Sequence, residues 1–197
     1  MEPRENGVWA LTKDKDSLKR ILSVTENVGK IHGLDKKQSG RLRLLAEELI
    51  GMLPELLSFS SGEFWVTSDG RKFEIHVSLK PDKSLTSSRR DELLALSTSG
   101  KNEAAVGVMN KIRLAAQFML ADFDESATIT APFYTHGITS DTFNNMAWSL
   151  MEYRTKAKEE QGENWDELEK SIIANIADDV RVGVQGKKVD IVVKKSF

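Results

Sequence analysis

The chain has 197 residues, 40% hydrophobic and 29% charged, a balance that fits one compact domain over 1–197 and excludes a disordered tail. Its 28 Lys and Arg against 30 Asp and Glu leave a net charge of -2. No concentrated positive charge is left over to draw a phosphate backbone or anionic lipid, so neither nucleic acid nor a membrane is expected as partner. No apolar run approaches the ~20 residues that cross a bilayer. Met1-Glu2-Pro3-Arg4-Glu5 lacks the basic-then-apolar layout of a secretion signal, which makes a cytoplasmic location the expectation. The absence of cysteine rules out disulfides, thiolate catalysis and cysteine metal sites.

Val8-Trp9-Ala10-Leu11 reads as a short edge strand. Asp16 and Ser17 then offer side-chain oxygens to first-turn amides, and Leu18, Ile21, Leu22, Val28 and Ile31 follow the helical period as far as Gly33, a stop residue. A second helix is predicted from Ser39 to Arg41 onward. Its stripe is Leu42, Leu45, Ala46, Leu49 and Leu53, widened by Leu44 and Ile50 enough to bury more than one side, with Pro54 set to kink or shorten it.

Phe64-Trp65-Val66-Thr67-Ser68, Asp69-Gly70 and the alternation of Phe73, Ile75, Val77 and Leu79 with polar residues predict a hairpin that has one buried and one wet face. A second hairpin runs through Val180, Val182 and Val184, turns at Gln185-Gly186, and returns along Val189, Ile191 and Val193. Before it, Asn164 with Glu167 forms a capping-box pattern for a helix carrying Leu168, Ile172, Ile173 and Ile176.

The stretch 82–165 reads as a variable insertion, lid-like or helical. Ser84 to Arg90 is polar, Asp91 to Leu96 suits a short helix, and Asn102 to Leu120 an Ala-rich buried one. Ala127, Ile129 and Ala131 alternate as a strand. Ser140 caps a predicted helix through Phe143, Ala147, Leu150 and Met151, with Arg154 to Glu160 as its solvated end. There is no internal repeat and no low-complexity tract.

The usual catalytic signatures are missing: no GxxxxGK[ST], no GxGxxG after a strand, no GxSxG and no HExxH. His32, His76 and His136 lie far apart in the sequence and read as a helix end, a polar strand face and a loop. Arg89-Arg90 is followed at once by Asp91-Glu92, which neutralises it locally. Glu47 and Glu48 interrupt an otherwise apolar helix. Glu47 shares a face with Gly51, four residues on, while Glu48 points about 100° away. One of these carboxylates reaches solvent, or the other faces a cavity and orients water or a ligand cation.

The order edge strand, helix, long helix, hairpin, variable segment, helix and terminal hairpin resembles the GHKL superfamily, the ATP-binding fold of histidine kinases. The nearest likeness is to the anti-sigma-factor serine kinases. Arg41-Leu42-Arg43-Leu44-Leu45-Ala46-Glu47-Glu48-Leu49 is similar to that group's N-box helix, and Ile172 to Val180 with the closing hairpin looks like its last helix and strands. The resemblance implies an α+β chain: a two-layer α/β sandwich whose mixed, mostly antiparallel sheet has helices on one face, with a helical insertion. It implies ATP with magnesium as cofactor, Glu47 as the catalytic residue that positions the nucleophile, and Asp82 as the acceptor of the adenine amino group. Glu48, Gly51 and Gly107 fall in the cofactor-binding boxes.

The boxes are degraded. Gly51 stands where the family's magnesium-binding Asn would be, and glycine has no side-chain oxygen for a hard cation. Pro81-Asp82-Lys83-Ser84 replaces the DxGxG box, and Asn102 to Val108 keeps Gly107 alone, so side chains occupy the space where backbone would approach a triphosphate. The expectation is a regulatory signalling protein that binds another regulatory protein or a second copy of itself, with ATP binding weakened or lost. The alternatives are an ATP-binding protein serine kinase of anti-sigma type and an unrelated α+β domain.

Overall fold

The computed structural model describes residues 7–12, 14–56, 58–82, 112, 116, 148–160, 171–185 and 188–197. The strand β1 (Trp9–Leu11) leads to α1 (Lys15–Ile31). Asp14, in extended conformation, caps this helix by accepting the N–H of Ser17 at 2.8 Å. The cap is therefore two residues earlier than Asp16, which sits inside the first turn and adds its charge there. Gly33 stops the helix with φ at +76°, as its lack of a Cβ allows.

The second helix, α2 (Lys36–Leu56), begins three residues before Ser39. Asp35 and Gln38 make it possible: the N–H of Gln38 donates to Asp35 Oδ1 at 2.8 Å and the N–H of Asp35 to Gln38 Oε1 at 3.2 Å, a reciprocal cap that satisfies two orphan amides. Pro54 lies inside the helix, which continues two residues beyond it. Leu42, Leu45, Ala46, Leu49, Ile50, Met52 and Leu53 are all buried, so this helix does bury more than one side. Leu44 remains half-buried.

Next come β2 (Phe59–Asp69) and β3 (Lys72–Pro81). Asp69 pairs with Lys72, which makes Gly70 and Arg71 the turn, one residue later than the Asp-Gly pattern suggests. Gly70 takes the positive φ, +61°, that the first turn position requires. After β3 the next strand and helix with described bounds are β4 (Trp148–Ser149) and α3 (Leu150–Glu160), then α4 (Ile172–Ile176), β5 (Asp179–Gln185) and β6 (Lys188–Ser196).

Two helical expectations are corrected here. Trp148 and Ser149 are strand, so Ala147, Leu150 and Met151 do not share one helix; α3 starts at Leu150, with Ser149 Oγ accepting the N–H of Glu152 at 3.3 Å. Ser171 is extended and caps α4 by accepting the N–H of Ala174, so no continuous helix runs from Asn164 to Ile176. The elements read at 84–96, 127–131 and 140–147 and the turn residues Gly186 and Lys187 lie outside the described residues. Within the helix read at 102–120, Ile112 and Ala116 are described, and both are helical and buried.

The sheet has six strands in the order β1-β2-β3-β6-β5-β4, and every described pairing is antiparallel, so no parallel pair makes it mixed. The amino-terminal and carboxy-terminal hairpins join at the β3–β6 seam, which runs from Lys72 opposite Ser196 to Leu79 opposite Val189. This register aligns Phe64, Val77, Ile191 and Val182 in one row and Val66, Ile75, Val193 and Val180 in the next. These rows belong to one core cluster with Ile21, Leu42, Leu45, Leu49, Leu53, Leu150 and Ile173 from the helices. At ~1.5–3 kcal/mol for each buried large aliphatic or aromatic side chain, this shared layer is the main source of stability.

Candidate functional site

Helical rotation of about 100° per residue brings Gly40, Glu47, Gly51 and Pro54 onto one stripe of α2, and all four are exposed. Glu48, one step round, is half-buried. The structure thus separates the two carboxylates: Glu47 is the one in water, and it shares its face with Gly51. A Cβ built on Gly51 would meet nothing within 4 Å.

Asp82 is held at the end of β3. Its N–H donates to the Ser58 carbonyl at 3.0 Å, and its Oδ2 accepts from Ser58 Oγ at 2.5 Å. Because Ser58 comes two residues after the last residue of α2, this pairing keeps the Asp82 carboxylate, which is exposed, near the C-terminal end of that helix. Gly107 lies outside the described residues. The fold therefore puts Glu47 and Gly51 on one face, turns Glu48 away, and tethers Asp82 through Ser58.

The fit to magnesium is poor. The open volume over Gly51 has room for a ligating side chain that glycine does not supply, and a hard divalent cation needs oxygen donors. Among the described residues no group of three or more His, Asp or Glu is placed to hold a metal ion.

A second cluster, on the sheet face away from the core, is invisible in the sequence alone. Register places Trp65, His76, Val192 and Arg181 in one outer row, Thr67, Glu74, Lys194 and Asp179 in another, and Glu63, Ser78, Asp190 and Gly183 in a third. His76 Nε2 stands 3.1 Å from Thr67 Oγ1 and 3.4 Å from Glu74 Oε2, while Lys194 Nζ is 2.7 Å from Glu74 Oε1. Hydrogen bonding from His76, reinforced by Lys194, outweighs burial and lowers the Glu74 carboxyl to a pKa of about 2. Burial raises that of Asp190, against the pull of the Ser78 hydroxyl and Lys188. Alternation identified His76 and Glu74 as polar-face residues. Their partners Thr67 and Lys194 depend on cross-strand register, which the sequence does not state.

His32 caps α1 and lies within 3.3 Å of Ser68 Oγ, with its ring edge-on to Phe73, so it performs the helix-end role read from the sequence. His76 is on the outer strand face and His136 is outside the described residues. No helix among the described residues is long and apolar enough to cross a membrane. No family model matches the chain, and no curated protein matches it.

Proposed function

We propose that this protein is a regulatory signalling protein of GHKL architecture that acts by binding another protein, with ATP binding weakened or lost. The observation that carries this reading is Gly51. It occupies the exposed stripe of α2 four residues after Glu47, where the likeness calls for a magnesium-ligating Asn, and it leaves the position empty of oxygen. A triphosphate depends on its metal for charge neutralisation, so losing that ligand weakens nucleotide before anything else in the fold changes. The element order supports the architecture: a long helix feeding a hairpin that ends at Asp82, and a terminal hairpin joined to it edge to edge. Ile31, Met151 and Ile172 are large apolar residues of the helical layer that stay exposed, Ile31 at 80%, and the partner-facing surface is sought among them.

The test is a titration of ATP and ADP, with and without magnesium, followed by melting temperature and by fluorescence of the four tryptophans. A ligand at one hundred times its dissociation constant adds ~2.7 kcal/mol of stability. The expected result is no shift at millimolar nucleotide, together with recovery of a stable protein partner from lysate of the native host. Magnesium-dependent binding with phosphate transfer to a protein serine would overturn the reading in favour of an anti-sigma-type kinase.

A further inference from the structure

A cavity of about 280 Å³ opens between the first turn of α1, the C-terminal half of α2 and the strands β1 and β2. Its walls are apolar: Leu11, Leu18, Ile50, Leu53 and Phe59. Leu11, Ile50 and Leu53 are buried, and Leu18 and Phe59 are half-buried. Among the described residues Thr12, Pro54 and Ser58 also line it. The hollow is open to solvent on the side of Pro54 and Ser58, and it is larger than the ~150 Å³ that admits benzene, which gives room for a two-ring body.

Polar groups at the rim define the other end of the ligand. Ser58 Oγ gives its one proton to Asp82 Oδ2, which leaves the hydroxyl oxygen only lone pairs to offer. The Asp82 carboxylate is likewise an acceptor alone, and it is exposed. Two acceptors side by side above an apolar hollow match a donor head group, and a carboxylate favours a charged one. We propose that this cavity binds a small amphiphilic amine, its aromatic or aliphatic body among Leu11, Leu18, Leu53 and Phe59 and its ammonium between Asp82 and Ser58.

The apolar wall stands away from the Glu47–Gly51 stripe, since Ile50 and Leu53 lie about 100° or more round α2 from Gly51, while Pro54 and Asp82 belong to both places.

Calorimetric titration of the full chain with naphthylmethylamine, its neutral isostere naphthalenemethanol and the anion naphthoic acid tests the proposal. The amine is expected to bind about tenfold or more tightly than the alcohol, and the acid most weakly. Asp82→Asn should bring the amine down to the affinity of the alcohol. Leu18→Trp, at a half-buried wall position, should abolish binding of both. If that variant unfolds, Pro54→Trp on the exposed side of the cavity takes its place and should give the same loss. The proposal is overturned if none of the three compounds binds at millimolar concentration, if all three bind alike, or if the tryptophan variant keeps full affinity.

Discussion

The indole of Trp65 lies flat against the imidazole of His76, ring centroids 4.9 Å apart and planes 5° from parallel. The stack fixes the imidazole beside Thr67 and Glu74. This explains why a carboxylate on the face away from the core titrates so far from its usual range.

Glu74 accordingly carries a pH signature. Its pKa is about 2 in the folded protein against ~4.3 for an unperturbed Glu. The folded state holds this proton less tightly than the unfolded chain. The stability it contributes is therefore complete above about pH 4.3 and lost as pH falls towards 2. Glu74→Gln should unfold at lower urea than the parent protein at pH 7, and the two midpoints should converge near pH 2. The effect is modest because the side chain keeps partial contact with water.

Asp190 works in the opposite sense. Burial raises its pKa above the usual carboxylate value, so the folded state binds this proton more tightly than the unfolded chain, and stability is lost as the pH rises from the usual carboxylate value through the raised one. Asp190→Asn should raise the urea midpoint at pH 7 and leave it unchanged at pH 3. A variant less stable at pH 7 would show that contacts of the ionised form outweigh desolvation.

Asp179 is the joint between β5 and α3. The carboxylate, 5% exposed, accepts from Ser149 Oγ at 3.0 Å, from the N–H of Met151 at 3.0 Å and from Arg181 Nε at 2.8 Å. It satisfies an orphan amide at the start of a helix 28 residues away in sequence. Asp179→Ala removes these bonds together and should destabilise by about 2–3 kcal/mol, lowering the melting temperature by roughly 5–10 °C. Ser149→Ala, which removes one partner of Asp179 and the hydroxyl that accepts the N–H of Glu152, should cost about 1–2 kcal/mol.

Two glycines should respond oppositely to a side chain. A Cβ on Gly62 would meet Leu79 Cδ2 at 2.9 Å and Leu11 Cβ at 3.0 Å, because Gly62 stands in register between Leu11 of β1 and Leu79 of β3 in the same sheet. Gly62→Ala should cost about 1–3 kcal/mol by overpacking. Gly51 faces open space, so Gly51→Asn should leave the melting temperature nearly unchanged or raise it slightly, since Asn is the better helix former. If the likeness to ATP-binding folds holds at this position, the same variant gains magnesium-dependent ADP binding, measurable by calorimetry.

Both hairpins and the two long helices were legible because their signals are local. Phe73, Ile75, Val77 and Leu79 alternate over a window that a single strand controls, and all four are buried. What escaped depends on contacts between distant residues. Pairing with β5 makes Trp148 and Ser149 a strand, and Asp179 accepting from Ser149 and Met151 holds the start of α3 there; no periodicity near residue 148 announces either. Caps failed by small offsets: Asp14 rather than Asp16, and Asp35 with Gln38 rather than Ser39, because several polar residues near each helix start could serve. In the candidate site, the shared face of Glu47 and Gly51 followed from helical arithmetic. The Ser58–Asp82 bond and the apolar cavity beside it did not, since both arise where α2, β2 and β3 converge.

The placement of β6 has a consequence for biosynthesis. It occupies an inner position between β3 and β5, yet it is the last of the described strands to leave the ribosome. Until it arrives, β3 presents a bare row of amides and carbonyls, a template for pairing with neighbouring nascent chains. Closing that gap means bridging more than a hundred intervening residues, a long-range step that slows acquisition of the native state. Cells making this protein quickly should accumulate sticky partial products, and chaperone supply should set the soluble yield.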